Sequence, residues 1–282
     1  MVAAADTLRI SPSAVSQQIA RLEEETGLRV LDRQPAGAVL TPAGKILAET
    51  AERVEAELGD ARRALGGLGG GVSGTVTVGA FQTAIRAILV PMLAGLAAEH
   101  PGVQLVIREV AEEHGRRALR RGELDLLVIE HDVSSPEVVP VGVRDVPFFD
   151  EPWVVVLPAS SPTPLSVMDL AEATWLGPEQ GSAADRALRR LAGELAFRPR
   201  TAHLYLDFDV ALAMVTGGLG IALLPALALQ RTLPENVQWA ALPGLGSRRV
   251  FVRHRVNRTE PRAATSAVLD LMLRAGAGLP TP

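Results

Sequence analysis

The chain has 282 residues, no cysteine, a formal net charge of -4, and 48% hydrophobic but only 4% aromatic residues. That length suffices for two or three compact units, and the absent thiols exclude disulfides and cysteine-held metals and suit a reducing compartment. The slight acidity excludes a protein coated in nucleic acid, though not a reader with a small footprint. The opening MVAAADTLRI has neither the basic nor the apolar part of a secretory signal, and no apolar run is long enough to span a bilayer, so the expectation is a cytoplasmic protein without membrane contact.

In chain order, residues 3–8 read as a short positioning helix and residues 11–26 as a second helix. Ser11 suits the N-cap, Pro12 the first turn, and Gly27 a left-handed stop. Val15, Ile19 and Leu22 recur at helical spacing and predict a buried stripe. Ser13, Ser16, Gln17 and Ala20 then face outward. Small hydroxyls and amides on such a face suit base edges and phosphates in a major groove. No acid occurs between Ser11 and Leu22, where Arg21 is the one charge, and Glu23, Glu24 and Glu25 come at the far end. The turn at Pro35-Ala36-Gly37 predicts a small wing beside Arg33.

Thr41 and Pro42 restart a helix. Leu47, Ala51, Val54, Leu58, Ala61 and Leu65 then alternate spacings of four and three, a heptad seam flanked by charge. Such a seam either pairs two chains or packs on the chain's own globular part. Gly66-Gly67-Leu68-Gly69-Gly70-Gly71 follows and reads as a flexible hinge. From Thr75 onward strands and helices alternate: strands at 75–80, 103–110, 124–130, 153–157, 174–177, 201–205, 220–224 and 250–255; helices at 83–99 (interrupted by Pro91), 112–121, 167–171, 183–195, 208–216 and 262–275. This order predicts α/β units with largely parallel sheets. Gly217–Gly220 reads as a tight turn before a buried strand. Arg116, Arg117, Arg120 and Arg121 read as a solvated helix face.

Ser11-Pro12-Ser13-Ala14-Val15-Ser16-Gln17-Gln18-Ile19, Leu22-Glu23, Gly27, Leu31, Arg33 and Leu40-Thr41-Pro42-Ala43-Gly44 together resemble the winged helix-turn-helix of LysR-type transcriptional regulators. Thr75-Val76-Thr77-Val78-Gly79, Gly122-Glu123-Leu124-Asp125-Leu126 and Gly217–Pro225 are similar to the effector domain of the same regulators. The resemblance implies a winged helix-turn-helix head over 1–41, a linker and dimerisation helix over 42–66, a hinge over 67–74 and an α/β effector domain over 75–276. That domain would have a periplasmic-binding-protein-like fold of two lobes, one formed by 75–147 with 248–276 and the other by 152–242, with crossovers near Pro147–Pro152 and Leu242–Gly246. The helix that usually precedes this pair in the family is expected to be missing here, which implies weakened DNA affinity.

The expected partners are double-stranded DNA, a small-molecule effector and a second copy of the chain, a homotetramer staying open. The DNA-facing set is Ser11, Ser13, Ala14, Ser16, Gln17, Gln18 and Arg21, with Arg33 and Thr41 holding the backbone. Open α/β sheets bind ligands beyond the carboxyl ends of their strands. Four turns qualify, and they supply Phe81, Gln82 and Thr83; Glu130 and His131; Gln180 and Ser182; and Asp207 and Phe208. The carboxylates among these turns favour an effector bearing an amine, although Ser182 and Asp207 also suit plain helix capping. The five histidines lie far apart, without metal-ligand spacing. Neither a nucleophile elbow nor a phosphate loop is present. No metal, cofactor or catalysis is therefore expected. The second reading is a cytoplasmic small-molecule sensor with weakened or lost DNA binding; an enzyme is the third.

Overall fold

A computed structural model describes residues 4–5, 8–34, 37–66, 72–132, 138–230, 233–256 and 262–279. The chain divides into two compact units, one built mainly on Met1–Arg62 and the other on Arg63–Leu119 with Glu123–Pro282.

The first unit contains α1 (Pro12–Thr26), a hairpin of β1 (Leu31–Gln34) and β2 (Gly37–Leu40), and α2 (Pro42–Gly66). α1 starts where expected: the Ser11 hydroxyl accepts the Ala14 N–H, Pro12 occupies the first turn, and Gly27 ends the helix in the left-handed region at φ 67°. Glu23 then turns back and accepts the N–H groups of Val30 (2.7 Å) and Leu31 (3.3 Å), which pins the hairpin to the helix. β1 and β2 pair antiparallel from Leu31↔Leu40 to Gln34↔Gly37, with Pro35 and Ala36 outside the described residues. The close approach of α2 to this hairpin requires Gly44, because a Cβ there would meet the Val30 carbonyl oxygen at 2.0 Å.

One expectation changes here. Val15 is buried and Ile19 half-buried, but Leu22 is 37% exposed, because nothing among the described residues closes over that end of the stripe. The positioning helix is described only at residues 4–5 and 8. Along α2, Val54 and Leu58 are more than half exposed and Ala51 and Ala61 also face solvent, so most of the seam lacks a partner among the described residues. The Leu65 side chain and the glycine tract at 67–71 lie outside the described residues.

The second unit is a sheet assembly with helices packed on it. Its elements are β3 (Gly74–Ala80), α3 (Gln82–Ala84), α4 (Leu93–Glu99), β4 (Val103–Glu109), α5 (Glu112–Arg120), β5 (Leu126–Asp132) and β6 (Val143–Pro158). Then come β7 (Thr174–Pro178), α6 (Ala183–Glu194), β8 (Arg200–Tyr205), α7 (Phe208–Thr216), β9 (Ala222–Pro225), β10 (Val237–Ala240), β11 (Ser247–Arg255) and α8 (Ala263–Ala277). Between α3 and α4 the chain makes a π-turn over Ile85–Leu89. Pro91 follows two residues later, where it cannot donate to the preceding turn, and the helix is rebuilt beyond it.

The sheets are mixed rather than largely parallel. β3 runs parallel to β4 and β5, and β7 to β8, but β11 is antiparallel to both β5 and β6. The expected crossover near Pro147–Pro152 falls inside one continuous strand, β6. That strand pairs with β11 over Val143–Pro152 and then with β9 and β10 over Trp153–Pro158. Both prolines fit because β11 shifts register between Val250 and Phe251, opposite Pro147, and pairing with β11 ends at Pro152. β10 had no expected counterpart; four residues, VQWA, carry too little alternation to announce a strand.

One core packs Val76, Val78, Leu126, Val128 and Val252 beneath Val268 and Met272 of α8. A second gathers Trp153, Val155, Trp175, Leu188, Leu191 and Ile221, and a third Val154, Val156, Leu176, Tyr205 and Leu224. Successive residues of β6 enter the second and third cores alternately, which is why its apolar run is continuous. β6 and β11 therefore carry the chain between two lobes, and the carboxyl ends of β3, β5, β7 and β8 bring their turns to one cleft.

Candidate functional site

In the first unit the candidate surface is the opening of α1. Ser13 is exposed, its hydroxyl 2.8 Å from that of Ser11. Gln17 and Gln18 are exposed and make no side-chain hydrogen bond among the described residues. Ala14 and Ser16 are half-buried, and the Ser16 hydroxyl donates to the Pro12 carbonyl (3.1 Å). Arg21 is largely exposed and pairs with Glu25 at 2.8 Å, one turn on. Arg33 lies in β1, its backbone opposite Ala38; its side chain is outside the described residues. Thr41 is corrected. It is buried, and its hydroxyl donates to the Arg29 carbonyl (2.6 Å) and accepts the Gly44 N–H (3.0 Å). It caps α2 and ties that helix to the hairpin, so no hydroxyl is left for a phosphate.

In the second unit a cleft of about 920 Å³ opens between the lobes. Phe81, Gln82, Glu130, His131, Gln180, Ser182, Asp207 and Phe208 all line it. Thr83 does not. It is buried, and its hydroxyl accepts from the Arg248 guanidinium at 2.8 Å. Capping and lining coincide: the Ser182 hydroxyl accepts the Asp185 N–H (3.2 Å), and the Asp207 carboxylate accepts the N–H groups of Asp209 (2.6 Å) and Val210 (3.2 Å).

Arg248, which the sequence reading did not single out, organises the cleft floor. It is fully buried yet bonds Glu151 through Nε, Glu130 through Nη1 and Thr83 through Nη2. Its guanidinium carbon stands 4.8 Å from the centre of the Phe81 ring and 5.9 Å from that of Trp153. Burial works against its charge, but the two carboxylates outweigh burial and hold its pKa above the ordinary value. Glu151, also buried, accepts the Leu227 N–H. Burial pushes its pKa up, and Arg248 only partly offsets this. The Tyr205 hydroxyl donates to the Leu223 carbonyl (3.1 Å); burial first, and then Glu130, raises its pKa.

Several bonds join the lobes across the opening. Gln82 donates to Asp207, Arg86 pairs with Asp209 at 3.1 Å, Arg186 donates to the Glu130 carbonyl at 3.3 Å, and Arg190 pairs with Asp132 at 2.9 Å. The lining is acidic: Glu109, Glu112, Glu113, Glu130, Glu179 and Asp207 stand against Arg116, Arg186 and Arg248. Glu109 and Glu179 face it from opposite lobes, exposed and without a side-chain hydrogen bond among the described residues.

Residues 1–45 match the bacterial regulatory helix-turn-helix protein of the lysR family, and residues 69–277 match the LysR substrate binding domain. The chain belongs to the LysR family. It is 30% identical to an uncharacterized HTH-type transcriptional regulator, YfeR, of Shigella flexneri, over 98% of this chain and 89% of that one. It is 31% identical to a probable hydrogen peroxide-inducible genes activator of Mycobacterium avium, over 80% of this chain and 73% of the other. Among solved structures, full-length OxyR from Pseudomonas aeruginosa superposes with a TM-score of 0.66 at 23% identity, covering 98% of this chain and 88% of that one. CbnR, a LysR family transcriptional regulator, gives 0.60 at 21% identity over 96% and 94%. The protein is thus a LysR-type DNA-binding transcriptional regulator with an effector-binding domain of the two-lobe α/β fold, and its relatives are regulators rather than enzymes. Among the described residues no helix is long and apolar enough to cross a membrane.

Proposed function

We propose that this LysR regulator senses a small polar molecule bearing an amine, held in the cleft between its lobes, and that occupancy of the cleft changes how a dimer engages DNA. The observation that carries this reading is the cleft lining, with six carboxylates against three guanidiniums, two of the carboxylates unengaged and facing from opposite lobes. An ammonium group between Glu109 and Glu179 would gain from both. An anionic ligand could meet Arg186, whose guanidinium bonds the Gly181 and Glu130 carbonyls, but it would stand among six carboxylates.

Two copies joined along the open seam of α2 would carry two α1 helices into successive major grooves. Ser11, Ser13 and Gln17 would meet bases and phosphates, and Arg33 would hold the backbone from the hairpin. The fold likeness to CbnR in complex with its target DNA, a TM-score of 0.61 at 19% identity, agrees with such a use of the head. The relatives named for hydrogen peroxide do not lend their signal to this chain, because its 282 residues contain no cysteine for a peroxide to oxidise. The ligand acts only through unequal affinity for two arrangements of the protein.

The test is a calorimetric screen of the full chain against matched amine, neutral and carboxylate ligands, followed by footprinting with any binder. Tight binding of amines with an altered footprint supports the reading. Tight binding confined to dicarboxylates overturns the amine assignment.

A further inference from the structure

The three guanidiniums that line the inter-lobe cleft differ in their partners. Arg248 bonds Glu130 and Glu151, and Arg116 pairs with Glu112 one turn back. Arg186 pairs with no carboxylate among the described residues. Asp185, its neighbour on α6, is taken by Arg189 and by the Gly181 N–H. Carbonyls hold the Arg186 guanidinium instead: Nη1 donates to Gly181 at 2.5 Å, and Nη2 donates to Glu130, on the other lobe, at 3.3 Å. A guanidinium has five N–H groups, so three remain. Ala184, in the first turn of α6, also lines the cleft, and its N–H has no partner among the described residues. A carboxylate placed here meets a charged fork and the positive end of a 12-residue helix.

The same turn carries the opposite charge. Glu179 stands two residues before Gly181, and its carbonyl accepts the Ser182 N–H at 3.1 Å, which folds the turn. Two residues of chain span at most about 7 Å, so the unengaged carboxylate of Glu179 and the cation of Arg186 share one corner of the cleft. Glu109 adds a second carboxylate from the other lobe. A ligand bearing only an ammonium leaves Arg186 without a counter-charge, and one bearing only a carboxylate stands among acids. A ligand with both groups a few ångströms apart answers both signs. Phe81, Val110, Leu206 and Phe208 supply apolar wall to the same cleft. Resting on the amine reading above, we propose that the ligand is a free α-amino acid with an apolar side chain, and that Arg186 sets this specificity by holding its carboxylate while Glu109 and Glu179 hold its ammonium. Arg186 also bonds the Glu130 carbonyl, so the bound carboxylate is fixed at a contact that joins the lobes.

The test titrates the full chain calorimetrically with two matched series. One is L-phenylalanine, phenethylamine and 3-phenylpropanoate; the other is L-leucine, 3-methylbutylamine and 4-methylpentanoate. In each series the second compound lacks the carboxylate and the third lacks the ammonium. At least one amino acid should bind saturably, tighter than its amine and its acid by about tenfold or more, as the loss of one charged contact implies. Arg186→Gln should weaken that amino acid to the level of its amine and leave the amine unchanged, a split that general damage to the domain would not give. Arg186→Lys should lose less, because the charge stays and only the fork goes, and it is the second variant should Arg186→Gln fail to fold. Glu179→Gln should weaken the amino acid and the amine together and spare the acid. Amines that match their amino acids, or an amino acid indifferent to Arg186→Gln, overturn this inference and leave the amine reading standing. Acids that bind tightest overturn both. Absence of saturable binding by both amino acids also overturns it, and the amines then decide the broader reading.

Discussion

Replacing Arg248 by methionine isolates what the buried charge network contributes. Methionine keeps an unbranched side chain against Phe81 and Trp153 but leaves Glu151, 3% exposed, and Glu130 without their cation. Breaking a buried pair from one side costs about 3–5 kcal/mol, because a desolvated charge is left uncompensated. For a domain of this size each kcal/mol moves the melting temperature by about 2–4 °C, so Arg248→Met should melt about 6–20 °C lower. The double variant Arg248→Met/Glu151→Gln should recover much of that loss, since the stranded charge is gone.

The pH dependence has a defined sign. Glu151 in the folded protein holds its proton above the ordinary carboxyl value of 4.5. Its contribution is therefore fully present below that value and is lost as pH rises through the raised one. Without Arg248 the rise is larger, so the deficit of Arg248→Met should narrow as the solution is acidified toward that range, and Glu151→Gln should erase the narrowing. Calorimetric melts over a pH series read both effects. A single variant melting within about 2 °C of the parent, less than 1 kcal/mol at this size, would refute the reasoning.

Other expectations are independent of that network. Thr41→Val should destabilise the head by about 1 kcal/mol through the lost cap and leave the salt dependence of DNA binding unchanged; a smaller salt slope would restore Thr41 as a phosphate contact. Gln17→Ala should cost about 1–3 kcal/mol of specific DNA affinity in titrations, with unchanged circular dichroism; an unaltered sequence preference removes Gln17 from the reading set. Leu58→Glu in the exposed seam of α2 should shift the chain toward monomer in sedimentation, and an unchanged mass would place the dimer contact elsewhere. Glu179→Gln should weaken binding of an amine ligand several-fold and leave a neutral analogue unaffected.

Local signals made α1 legible: a capping hydroxyl, a proline in the first turn and a glycine stop act within a few residues of the helix they delimit. The four cleft turns were legible for a related reason, since each sits where a strand hands over to a helix. Ser182 and Asp207 show that capping and lining belong to one position. Arg248 stayed hidden because its partners, Glu130, Glu151 and Thr83, are 118, 97 and 165 residues away, and nothing local marks a buried arginine. Trp153–Leu157 read as a strand, but the first part of β6 stayed hidden because Pro147 and Pro152 read as breaks; the register shift opposite Pro147 and the end of the β11 pairing at Pro152 make room for them. Thr41 was misjudged because a family contact and a helix cap ask for the same hydroxyl, and burial decided for the cap. Leu22 shows the limit of periodicity, which names a face but not what covers it.

The most direct measurement is a footprint of the full chain on genomic DNA fragments that it retains. Protection in two half-sites spaced by whole helical turns is predicted, lost in Ser13→Ala/Gln17→Ala while the variant still melts cooperatively. Retention of no fragment above random DNA, or a footprint indifferent to those two substitutions, would contradict the account.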